Sequence, residues 1–157
     1  MAQAVRDIMT RDVQSAAPDT ILKDAAQLLK TRNIGSVPVL EGRKLVGILT
    51  DRDIAIRGVA EGRDPGSTRV SEVMSKELVT VREDTPLLEA EKLMHDHQLR
   101  RLPVVSGEME LIGYLAMAKV ARTESAEKAG KVLQGVSQES KPVPMESLSR
   151  KGRQKTG

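Results

Sequence analysis

The sequence contains no cysteine, phenylalanine or tryptophan, and Tyr114 is its single aromatic residue. Without cysteine there is no disulfide, thiolate-bound zinc, iron–sulfur cluster or thiol nucleophile. That usage fits a cytoplasmic protein. Without aromatics the core has to be built from Leu, Ile, Val, Ala and Met. The stacking platforms that hold single-stranded nucleic acid are also missing, which argues against nucleic-acid reading. No hydrophobic run approaches the length of a membrane span, and Met1–Ala4 leads into no apolar signal core. What is present is a chain of 157 residues, 39% hydrophobic and 30% charged, with a net charge of +3. This suffices for one compact domain or two small halves sharing a core. The positive surplus lies largely at the end, where Arg150, Lys151, Arg153 and Lys155 follow Glu146 with no further acid. Such a run reads as a solvated tail, with contact to nucleic acid or anionic lipid as the alternative.

The chain repeats itself. Val5-Arg-Asp-Ile-Met-Thr10 matches Val70-Ser-Glu-Val-Met-Ser75, Asp19-Thr20 matches Asp84-Thr85, and Ser36-Val-Pro-Val39 matches Arg101-Leu-Pro-Val104, all 65 positions apart. After one extra loop residue the offset becomes 66, and Leu45-Val-Gly-Ile-Leu49 matches Leu111-Ile-Gly-Tyr-Leu115. Four blocks in one order signal a duplication.

Each copy carries the same punctuation. A short extended run (13–16; 78–81) precedes Thr20 or Thr85, placed as a helix N-cap, with Pro86 at the first helical position of the second copy. An amphipathic helix follows, with Leu22, Ala25, Ala26 and Leu29 on one stripe and Leu87, Ala90, Leu93 and Met94 on the other. Gly35 is placed to end the first helix in a left-handed conformation. Two strands then form a hairpin around Glu41-Gly-Arg-Lys44, repeated around Ser106-Gly107. A second helix starts at 51 and near 116. The predicted architecture is α+β: two tandem β-α-β-β-α units, over 1–64 and 65–122, packed about a pseudo-twofold axis. The segment 123–157 reads as a helical or disordered tail.

Thr50-x-x-Asp53 stands at the strand-to-helix turn of the first copy, and its counterparts are Ala116 and Lys119. One reading is a capping box, with Asp53 in the first turn where the helix dipole favours an anion. In the other, a carboxylate at this turn accepts hydrogen bonds from two vicinal hydroxyls while helix N–H groups face an anion. The sequence leaves both open.

The duplicated unit, with Val-Pro-Val followed by Leu-Val-Gly-Ile-Leu-Thr-Asp-Arg-Asp, resembles a CBS domain pair, or Bateman module, over about residues 5–121. The layout is similar to small stand-alone bacterial members of the hypoxic-response type. The resemblance implies an adenosyl ligand, AMP or ATP, in the cleft between the copies, and no other cofactor. It assigns Thr50 and Asp53 to the ribose side and Ser36, Val37 and Pro38 to the base. Arg100 and Arg101 go to the phosphates, with Lys119 as a possible added charge. Ile48, Arg52 and Val79 complete the expected nucleotide-binding set. It also implies a homodimer and, with no effector domain attached, a partner protein engaged in trans. No nucleophile–base constellation or Gly-rich phosphate loop is visible, so no enzymatic activity is expected. His95 and His97 lie two apart on a helix, a spacing that sends them to different faces, and no metal site is expected. The competing readings are a ligand-free dimeric scaffold, in which Thr50 and Asp53 only cap a helix, and a nucleic-acid-associated protein acting through its basic tail.

Overall fold

The computed structural model describes residues 3–127, with side chains through residue 123. The chain divides into two compact units, Met1–Met117 and Ala118–Gly157. The first holds α1 (Leu22–Arg32), β1 (Ser36–Glu41), β2 (Lys44–Thr50), α2 (Asp51–Asp53), α3 (Leu87–Asp96), β3 (Arg101–Val105) and β4 (Leu111–Ala116). A final helix, α4, spans Met117–Glu127. The basic tail and most of the expected extension at 126–136 lie outside the described residues. Among the described residues no helix is long and apolar enough to cross a membrane.

Each copy builds one antiparallel hairpin, β1 with β2 and β3 with β4. Both hairpins carry a register shift, between Val39 and Leu40 and between Val104 and Val105. The extended runs before the helices add to the hairpins in parallel through Ala16–Val39 and Val81–Val104. The prolines tolerate this because the neighbouring chain needs only their carbonyls: Ala16 N–H donates to Pro38 O at 3.0 Å and Val81 N–H to Pro103 O at 3.1 Å. A proline has no donor of its own to offer.

The other edge of each hairpin is completed by the opposite copy. Ser75 exchanges backbone hydrogen bonds with Ile48 at 2.9 and 3.0 Å, and Thr10 does so with Tyr114 at 2.8 and 2.9 Å. This crossover accounts for the glycine in each repeat. A Cβ on Gly47 would lie 2.6 Å from Met74 Sδ and 3.1 Å from Ser75 O. On Gly113 it would lie 2.8 Å from Met9 Sδ and 3.0 Å from Thr10 O. The hairpin ends also meet, with Leu45 N–H donating to Met109 O and Leu111 N–H to Arg43 O.

The exchange extends into the core. Val70, Val73 and Met74, which open the second copy, are buried with Leu22, Ala25 and Leu29 of α1 and Val37, Val39 and Leu49 of the first hairpin. Each such valine, leucine or methionine side chain contributes about 1.5–3 kcal/mol when taken out of water. Val5, Ile8 and Met9 are buried as well, as are Leu87, Ala90, Met94, Leu102, Val104 and Leu115.

Two capping expectations need correction. Thr20 and Thr85 do not cap the helices: the N-cap positions are Ile21 and Pro86, with no side-chain cap. The threonine hydroxyls instead accept from Ala17 N–H and Arg82 N–H, each at 2.9 Å, and so close the turn one step earlier. The left-handed residue that ends α1 is Asn33, at φ 53°, rather than Gly35. Asparagine tolerates that region better than most side chains do.

Candidate functional site

At the end of β2 the capping box is formed. Asp53 N–H donates to Thr50 Oγ1 at 3.0 Å, and Thr50 N–H donates to Asp53 Oδ2 at 3.0 Å. Asp53 is 8% exposed. Its carboxylate also accepts from the Ser75 hydroxyl, at 3.2 Å to Oδ1 and 3.4 Å to Oδ2. The acid of the first copy therefore holds the segment that opens the second. A π-helical turn, Ile54–Val59, continues α2, and Arg57 Nη1–H donates from it to Met74 O at 3.2 Å. That bond fastens the same segment one residue earlier.

A cavity of about 350 Å³ opens elsewhere, between the start of the first copy and the second hairpin. Its size lies at the lower end of the range for small-molecule sites, about 300–1,000 Å³. Val13, Ile34 and Ala116 supply apolar wall. Thr10, Gln14, Ser36 and Tyr114 supply neutral polar groups, and Asp12, Arg32 and Arg101 supply charge. The three charged residues are exposed, whereas Ser36, Tyr114, Val13 and Ile34 are half-buried. The charged groups and Thr10 are thus the more solvent-exposed part of the lining, and the Ser36 and Tyr114 hydroxyls the less exposed part. Ser36 Oγ and Tyr114 Oη are 3.0 Å apart and hydrogen-bonded across the two copies. Burial pushes the Tyr114 hydroxyl above its ordinary value, opposed by the Ser36 hydrogen bond and by the charge of Arg101. The phenol therefore stays protonated at neutral pH.

Of the expected nucleotide-binding residues, Ser36 and Arg101 line this cavity. Val37 and Pro38 are buried in β1 just past Ser36. Thr50 pairs with Ser36 across the first hairpin, and Asp53 is engaged with Ser75. Ile48 is half-buried beside Ser75, Val79 is half-buried in the extended run of the second copy, and Arg52 is exposed on α2. Arg100 is exposed and its carbonyl accepts from Met117 N–H at 2.8 Å. Lys119 lies on α4 in the second compact unit. Thr10, Asp12, Val13, Gln14, Arg32, Ile34, Tyr114 and Ala116 are absent from the expected set. The repeat offset could have found several of them. Applied to Val79 it returns Gln14, applied to Ile48 it returns Tyr114, and applied to Thr50 it returns Ala116.

Chemically the cavity offers charged and neutral polar groups beside an apolar wall. Two guanidinium groups at the mouth offer planar donor pairs matched to phosphate. Among the described residues no group of three or more His, Asp or Glu side chains is arranged to hold a metal ion.

The family model for the CBS domain matches residues 5–58 and 70–126. CBS domain-containing protein YhcV of Bacillus subtilis is 45% identical over 135 residues, covering 85% of this chain and 95% of the relative. Hypoxic response protein 1 of Mycobacterium tuberculosis is 36% identical over 118 residues, covering 74% of this chain and 82% of the relative. A crystal structure of Hypoxic Response Protein I with two coordinated zinc ions superposes with a TM-score of 0.70 at 35% identity, covering 76% of this chain and 98% of that one. CBSX2 of Arabidopsis thaliana, in its complex with AMP, superposes with a TM-score of 0.69 at 28% identity, covering 80% and 98% of the two chains. With its duplicated motif, the bridges its copies exchange and these matches, the chain belongs to the CBS domain family and carries a CBS pair.

Proposed function

We propose that this chain is a regulatory module, not an enzyme, that binds an adenine nucleotide, AMP or ATP, between its two CBS motifs and signals energy or stress state to a partner in trans. The observation that carries the reading is the cavity of about 350 Å³ with Arg32 and Arg101 at its mouth and half-buried hydroxyls and apolar walls within. The phosphate would meet the two guanidinium groups. Asp12, also in the lining and exposed, would accept from a ribose hydroxyl. The complex of CBSX2 with AMP supports the ligand class. A ligand bound here touches both copies, so it stabilises the arrangement in which they close on it, to the extent that its affinity differs between arrangements. Exposed Ile56, Val59 and Leu88 support assembly as a homodimer through the helices. Work in the cytoplasm fits the cysteine-free composition.

A second reading keeps the ligand at Thr50 and Asp53. It is favoured by one observation: Asp53 already accepts a hydroxyl, that of Ser75, and a ribose hydroxyl could exchange with it. Calorimetric titration of AMP into Asp53→Asn separates the two. The cavity reading expects the dissociation constant to change by less than about threefold. Loss of a charge-assisted bond to the ribose would instead weaken binding by about 10-fold or more, since bonds to charged groups are worth about 1.5–3 kcal/mol.

A further inference from the structure

Tyr114 is the one aromatic residue in the chain, and the fold does not require it. Its counterpart Ile48 makes the same pair of backbone bonds to the opposite copy with an aliphatic side chain. What Tyr114 adds is a hydroxyl, 3.0 Å from Ser36 Oγ, on the wall of the cavity. When two hydroxyls share one hydrogen bond, one proton is left to donate outward and lone pairs are left to accept. The pair is half-buried, whereas Arg32 and Arg101 are exposed. A nucleotide whose phosphate sits at the arginines would therefore present its base to the hydroxyls.

We infer that the Tyr114–Ser36 pair reads the hydrogen-bonding edge of the purine base, making Tyr114 the residue that sets base specificity in this cavity. The inference rests on the nucleotide reading above. The first copy has no equivalent, since Ile48 offers no hydroxyl, so the two halves of the cleft are chemically unequal.

The test is a calorimetric comparison of AMP with purine riboside 5′-monophosphate, which lacks the exocyclic amine, on the wild-type protein, Tyr114→Phe and Ser36→Ala. Wild type should prefer AMP by about 3- to 10-fold, the range one neutral hydrogen bond supplies. Tyr114→Phe keeps the ring and should abolish that preference with an unchanged melting temperature, and Ser36→Ala should reduce it. Should Tyr114→Phe fold poorly, the Ser36→Ala ratio decides alone. A wild type that binds both nucleotides equally, or variants that keep its preference, overturns the inference and leaves nucleotide binding standing. A wild type that binds no adenine nucleotide removes both. The emission of the single tyrosine gives an independent readout: it should change on AMP binding, and an unchanged emission at saturation would place the ligand away from Tyr114 and refute the assignment.

Discussion

Tyr114 combines burial, a hydroxyl partner and a nearby cation in one residue, and its ionisation reports on all three. Burial is the largest influence, and it raises the folded-state pKa above the unfolded value of about 10. A group whose pKa is raised by folding contributes stability that is fully present below the unfolded value and is lost as pH rises through the folded one. Absorbance titration of the native protein at alkaline pH should therefore show the phenol ionising later than in urea. Thermal stability should fall over that same alkaline window. A native midpoint equal to the unfolded one would show the hydroxyl to be solvated. Asp53 shows the opposite economy, with one carboxylate serving Thr50 N–H, the helix start and the Ser75 hydroxyl together. The sequence placed Thr50 and Asp53 at the turn and offered both a cap and a ligand role. It could not show that Ser75 would reach the same carboxylate, because that contact joins residues 22 apart through the crossover.

The elements explain why the repeats look as they do. Each hairpin is bridged by the opening segment of the other copy, and the approach is close enough that a Cβ at 47 or 113 would crowd a methionine and a backbone carbonyl. Gly47→Ala should destabilise the protein by about 1–3 kcal/mol, the usual cost of overpacking. Met74 can swing aside, but the Ser75 carbonyl belongs to the backbone it would disrupt. Urea unfolding measures this, and unchanged stability would contradict the crossover. Strands, the helix stripes and both hairpin turns were legible, because alternation, the 3.6-residue period and glycine-bearing loops are local signals. The caps were not. Thr20 and Thr85 looked like N-caps, yet each hydroxyl closes the preceding turn. An N-cap hydroxyl accepts from an N–H two or three residues further on, whereas these accept from one three residues back; both roles ask for a short hydroxyl side chain just before the helix, so the sequence pattern does not distinguish them.

At the scale of the whole molecule, two imperfect copies enclose unequal halves of one cleft. The duplication, the α+β class and the family were readable because four motifs recur in order. The composition of the cavity was less so. Ser36 and Arg101, which the resemblance implies for a ligand site, line it, while Asp12, Arg32 and Tyr114 come from segments far apart in sequence that the fold brings together. The loss of the polar pair in the second copy takes on a physical sense here: Ala116, where Thr50 stands in the first, leaves room in the cavity wall. Filling that room tests the central claim most directly. Calorimetric titration of AMP and ATP should give one site per chain in the wild type. In Ala116→Leu, whose added carbons occupy the cavity, affinity should fall by at least about 10-fold, with Tm used to confirm that the variant is folded. A folded Ala116→Leu protein that binds the nucleotide as tightly as the wild type would contradict the account.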